Sequence, residues 1–205
     1  MGQYGVPGHT IVHISDTHFL AGERALYGAV DTDAGLTQAL RQLEGSGMRP
    51  ELLVFTGDIA DLGEEDAYRR IRGIVEPAAE RLGAKVLWVM GNHDDRARLR
   101  VELLDEAAAT EPVVVSIRLG GLRVIALDTS VPGYHHGELS AEQLEWLRGE
   151  LAEPAPEGTV LALHHPPIPT TIPLMPILEL QRQDELAAVI EGSDVRAVLG
   201  GHLHY

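Results

Sequence analysis

The sequence predicts an α/β layered fold in which helices cover the sheets and one antiparallel hairpin is inserted. Strand-like and helix-like runs alternate along nearly all 205 residues. The strand-like runs are apolar throughout, the pattern of strands buried on both faces. Two β-rich runs flank Gly120-Gly121, a hairpin signal.

TIVHIS (10–15) is read as the first buried strand. DAGLTQALRQLE (33–44) has helical periodicity and ends at Gly45 and Gly47. LLVFTG (52–57) is the second strand, and the helix at 64–83 ends at Gly83, with a kink or break expected at Pro77. KVLWVMG (85–91) is the third, followed by a charged helix from Asp95 to Glu106. After the hairpin, SAEQLEWLRGEL (140–151) opens with Ser140 and Gln143 at capping-box spacing. TVLALHH is a strand, DELAAVIEG a helix and VRAVLGG the last strand. Residues 1–205 are read as one domain.

Composition narrows the function. With 44% hydrophobic and 23% charged residues the chain can bury a core. No apolar run reaches the roughly 20 residues of a membrane span. The opening MGQYGVPGHT has no basic-then-apolar signal plan, so a cytoplasmic location is expected. The absence of cysteine excludes disulfides, thiolate metal sites and a cysteine nucleophile. A formal net charge of −15 repels phosphate polymers, so no nucleic-acid polymer is expected as partner.

The polar residues fall at strand ends. Asp16-Thr17-His18 follows the first strand, Asp58 the second, Asn92-His93-Asp94 the third, His164-His165 the sixth and His202-Leu203-His204 the last. Ligand sites of α/β sheets lie outside the carboxyl ends of the strands. Taken singly, each group has a plainer reading as a hydrogen-bonded turn or cap. Together they bring carboxylates that would repel one another unless cations joined them. Oxygen and nitrogen ligands without sulfur suit Mn, Fe, Zn, Co or Ni. Seven ligands are too many for one ion and suit two sharing a carboxylate.

These blocks, D-x-H, G-D, G-N-H-D, H and G-H-x-H in order across residues 16–204, resemble those of the calcineurin-like metallophosphoesterases. LDTSVPGYHHGELS, ALHHPPIP and GGHLHY are similar to the class III cyclic nucleotide phosphodiesterases within that family. The resemblance implies a layered metallophosphoesterase sandwich and a hydrolase acting on small phosphodiesters such as 3′,5′-cyclic AMP. One metal ion would take Asp16, His18 and His204, and a second Asn92, His164 and His202. Asp58 and a water or hydroxide would bridge them, and that hydroxide would attack phosphorus; the ions would be Mn, Fe or Zn. His93 is given the leaving-group proton, and Asn92, His93 and His136 the substrate phosphate. Asp94 either orients His93 or caps the next helix. His13 and His165 are read as supporting residues, and His9 lies in a Gly/Pro-rich start expected to lack order. The family continues with further strands beyond G-H-x-H, whereas this sequence has one residue more. A sandwich truncated at its C-terminus, with an open sheet edge covered in a homodimer, is therefore expected. A broader phosphoesterase, or a metal-bound interaction domain with feeble catalysis, is the alternative.

Overall fold

The computed structural model describes residues 5–172 and 175–204. Two sheets lie face to face. The first has the order β1 (Ile11–Ile14), β2 (Leu52–Thr56), β3 (Lys85–Val89), all parallel. The second has the order β4 (Val115–Leu119), β5 (Leu122–Ala126), β6 (Thr159–Ala162), β7 (Val195–Leu199). Only β4 runs against its neighbour, paired with β5 through the Gly120-Gly121 turn, and so forms the expected hairpin.

Alternation along each strand builds the layers. On β2, Leu53 and Phe55 point outward to α1 (Thr32–Gly45), α2 (Glu65–Leu82) and α3 (Arg96–Leu103), meeting Leu40, Tyr68, Ile71 and Leu99. Leu52 and Val54 point inward, joining Leu87 and Val89 against Val124, Ala126 and Ala162 of the second sheet. Ile125 and Leu161 face outward onto α4 (Ala141–Leu151) and α5 (Gln183–Ile190), against Leu144, Leu147 and Leu186. The molecule is thus layered helix–sheet–sheet–helix, which is why the strands read as continuous apolar runs.

Local chemistry explains the boundaries. Asp31, Asp95 and Ser140 cap α1, α3 and α4 by accepting the backbone N–H of Ala34, Arg98 and Gln143. Gly83 closes α2 in a left-handed conformation. Pro77 does not break α2, which is a single helix from Glu65 to Leu82. His13 is exposed on the outer strand β1 and hydrogen-bonds Thr56 Oγ1 at 2.7 Å. His9 is held between Glu51 (2.6 Å) and Glu157 (2.8 Å), contrary to the disorder expected of the N-terminal stretch.

Candidate metal centre

The carboxyl ends of β1, β2, β3, β6 and β7 meet at one edge of the sandwich. Five of the residues there have left-handed backbones without being glycine: Asp16 (φ 57°), His18 (φ 44°), Asp58 (φ 48°), His202 (φ 73°) and His204 (φ 54°). Such strain persists where surrounding structure over-determines it, and it concentrates at functional sites. The glycines of the motifs make room. A Cβ on Gly91 would lie 2.1 Å from Asp58 N, and one on Gly201 1.9 Å from Ser15 Oγ.

Asp16, His18 and His204 form one group, and Asp16, Asp58 and His164 another. His204 Nε2 is 3.2 Å from Asp16 Oδ1 and 3.4 Å from His18 Nε2. His18 Nε2 stands 3.7 Å from Asp58 Oδ2. On the other side, His164 Nε2 is 3.2 Å from Asp58 Oδ2 and 3.1 Å from Asn92 Oδ1. The His202 ring lies 4.9 Å from that of His164. Asp58 is common to both sides, and all seven predicted ligands come together.

The partners decide where the protons are. His18 Nδ1 faces Asp61 Oδ1 at 3.0 Å and His164 Nδ1 faces the Thr56 carbonyl at 2.7 Å; both partners only accept. Each ring therefore donates from Nδ1 and turns Nε2 into the site. There Nε2 of His164, a carboxylate oxygen and an amide oxygen converge, three acceptors that need a proton or a cation among them. Burial, the largest single influence, opposes a proton on His164, but the hydrogen bond and charge of Asp58, the charge of Asp16 and the Thr56 carbonyl together raise its pKa. Burial likewise opposes the Asp58 charge, yet His164 and the His93 N–H hold that carboxyl well below its usual range. His202 is pushed down to about 4 by burial and then by His164, and its buried Nε2 has no hydrogen-bond partner. A neutral imidazole with an unused lone pair is what metal ligation requires. The donor set therefore fits two cations.

His93 is anchored twice. Its N–H donates to Asp58 Oδ1 (2.9 Å), and its Nδ1–H to the Asp61 carbonyl (2.8 Å). Its ring packs edge-on to His18 with centroids 4.9 Å apart. Asp94 neither orients His93 nor caps α3. It accepts from Ile59 N, Ala60 N, Gly91 N and Tyr68 Oη, while burial and then the Asp58 charge push its carboxyl up to about 6. His136 turns away from the site to Glu138 Oε1 at 3.2 Å. His135 takes its place, with Nδ1 3.1 Å from Asn92 Nδ2 and its ring 5.8 Å from that of His93. His165 lies fully buried behind His202, with rings 4.4 Å apart. Asp61 and His135 are the residues that sequence reasoning missed. An acid three residues after Asp58 in the same strand-end loop was a signal for the first, and the GYHH pair, read one residue late, for the second.

Residues 9–205 match the calcineurin-like phosphoesterase family. The chain belongs to that family. This calcineurin-like phosphoesterase is 58% identical over 199 residues to a cAMP/cGMP dual specificity phosphodiesterase of Mycobacterium tuberculosis, covering 97% of this chain and 63% of that one. It is 54% identical over 203 residues to a protein of Rhodococcus erythropolis named "Probable cyclic nucleotide phosphodiesterase", covering 99% and 67%. It thus spans less than two thirds of the mycobacterial relative's length. Among solved structures it resembles a dimetal phosphatase from Danio rerio, with a TM-score of 0.73 at 19% identity, over 97% of this chain and 82% of that one. That likeness shows the metallophosphoesterase fold.

Proposed function

We propose that the chain is a metal-dependent phosphodiesterase for small phosphodiesters, 3′,5′-cyclic nucleotides foremost. The observation that carries the reading is the convergence of three acceptors, His164 Nε2, Asp58 Oδ2 and Asn92 Oδ1, beside the unpartnered Nε2 of His202. The names of the relatives support the substrate class.

Two divalent cations of the Mn, Fe or Zn kind, one on Asp16, His18 and His204, the other on Asn92, His164 and His202, with Asp58 shared, would supply Lewis acidity and lower the pKa of water. The chain's own residues do the rest. Asp58 lies between the two groups and is fixed by the His93 N–H. His93 keeps its Nδ1 proton on the Asp61 carbonyl, so Nε2 is the nitrogen left to face substrate. As water oxygen bonds to phosphorus and the P–O ester bond breaks, His93, protonated at both ring nitrogens, gives its Nε2 proton to the departing oxygen, and the proton shed by the water restores it. Asn92 Nδ2 and His135 flank the mouth and bind phosphoryl oxygens. A formal net charge of −15 disfavours nucleic-acid polymers as substrates, while bound cations would make the cleft locally positive for a small anion.

A cytoplasmic location and a homodimer complete the proposal. No helix of the described residues is long and apolar enough to cross a membrane. Among the described residues β1 and β7 are outer strands with exposed His13, Arg196 and Ala197, a surface that a second copy would cover. A monodisperse monomer by light scattering at tens of micromolar would count against the dimer.

The test of the metal assignment is Asp58→Ala. Metal analysis after Mn²⁺ loading and desalting should find two ions per wild-type chain and fewer than one in the variant. Two tightly held ions in the variant would refute the shared-carboxylate assignment.

A further inference from the structure

We propose that His165, a buried histidine that clusters with His164 and His202 but has both ring nitrogens hydrogen-bonded elsewhere, is a positioning residue that sets His135 at the mouth of the site. The inference rests on the phosphodiesterase reading above and extends it to a residue that reading leaves without a role.

The hydrogen bonds of His165 define its tautomer. Its Nε2 is 3.2 Å from the carbonyl of His135, which only accepts, so Nε2 carries a proton and donates it. Its Nδ1 is 2.7 Å from Thr129 Oγ1, and that hydroxyl also accepts the His165 backbone N–H at 3.3 Å. Thr129 therefore directs its own proton to Nδ1. Thr129, His165 and the His135 carbonyl form one directed chain from the end of β5, through the residue after β6's ligand, to the loop that carries His135.

The ring also sets the backbone two residues on. Gly137 lies flat against it: a Cβ there would come within 2.5 Å of His165 Cγ and 2.6 Å of Nδ1. Gly137 is held further by its N–H on the Glu179 carbonyl (3.1 Å) and by its carbonyl, which accepts from Gln181 N (2.7 Å). Residues 135 and 137 are thus both anchored on His165, and residue 136 between them faces the other way. This explains why His135 meets Asn92 while His136 pairs with Glu138. His135 is itself exposed, on a loop whose residues 132–134 are also exposed. Backbone hydrogen bonds at Tyr134, Gly137 and Glu138 hold the loop on either side, and the bond to His165 fixes the His135 peptide itself.

Two variants separate reach from bulk. Asn at 165 can still take the Thr129 hydroxyl but cannot reach the His135 carbonyl, whereas Gln can extend a donor to it. In Mn²⁺-loaded enzyme, His165→Asn should lower kcat/KM for 3′,5′-cyclic AMP about tenfold, the lower end of what orienting partners contribute. His165→Gln should recover most of that loss, and Gly137→Ala, which pushes the ring aside, should reproduce it. In a His135→Ala background the same Asn substitution should cost less than twofold, because the residue through which it acts is gone. Metal content should stay at the wild-type value in every variant. A full tenfold loss in the His135→Ala background would overturn the proposal. So would loss of metal along with activity, since His165 would then belong to the metal site. Wild-type enzyme without turnover would instead remove the reading on which the proposal stands. The ring spectrum decides the geometry either way. Nitrogen-15 NMR should show His165 as a slowly exchanging Nε2–H tautomer, and an Nδ1–H tautomer would contradict it.

Discussion

At the scale of single residues, the site is a set of choices about which nitrogen keeps a proton. His18 and His164 are pinned through Nδ1 on Asp61 and Thr56, and His93 on the Asp61 carbonyl. The division between side chain and backbone at Asp61 has a consequence. Asp61→Ala removes the acceptor for His18 but keeps the carbonyl that holds His93. It should weaken metal binding about 10–100-fold, measured by competition with a chelator, while the metal-saturated enzyme keeps most of its turnover. His93→Ala should do the converse, leaving metal content unchanged and lowering turnover about 10²-fold or more. If both variants lost metal alike, the two roles would not be separable. The seven residues that converge at the site were legible because each stands at a strand end in a short motif. His135 was not, since the inward residue of the GYHH pair is set by His165 and Gly137, remote in sequence from it or without chemistry of their own.

At the scale of elements, buried ion pairs tie the strands behind the site. Arg123 on β5 is 1% exposed and binds Thr159 Oγ1 at 2.9 Å and Asp194, just before β7, at 3.0 Å. One side chain thereby joins β5, β6 and the start of β7. Removing one partner of a buried pair leaves an uncompensated charge, so Arg123→Ala should lower unfolding stability by about 3–5 kcal/mol. An unchanged urea midpoint would show that the pair contributes nothing to holding these strands. Element identity was readable from periodicity and caps: each helix and strand expected between residues 10 and 201 is present within a few residues. The uniform apolar runs showed that both strand faces are buried, but not by what. Whether a face meets a helix or another sheet depends on contacts such as Val54 with Val124 that no local pattern encodes. The sandwich thus needed the resemblance, and the break expected at Pro77 did not occur because tertiary packing along α2 outweighs the lost hydrogen bond.

At the scale of the whole molecule, the N-terminal stretch joins the two halves. His9 lies between Glu51, which leads into β2 of the first sheet, and Glu157, which leads into β6 of the second. The hydrogen bond that His9 donates to Glu157, then the one it donates to Glu51, raises its pKa above the ordinary value. A raised folded-state pKa gives stability that is complete below the unfolded value, about 6.5, and is lost as pH rises through the folded one. Denaturant midpoints should therefore fall slightly on going from pH 6 to pH 8, and His9→Gln should flatten that part of the profile. An identical slope in the variant would remove His9 as its source.

The central claim is that the strand-end cluster is a working dinuclear phosphodiesterase site. It is tested most directly by the rate of 3′,5′-cyclic AMP hydrolysis before and after Mn²⁺ loading, with bound metal counted in the same samples. Turnover should appear with the second bound ion and disappear on chelation. Two ions bound with no phosphodiester turnover would contradict it.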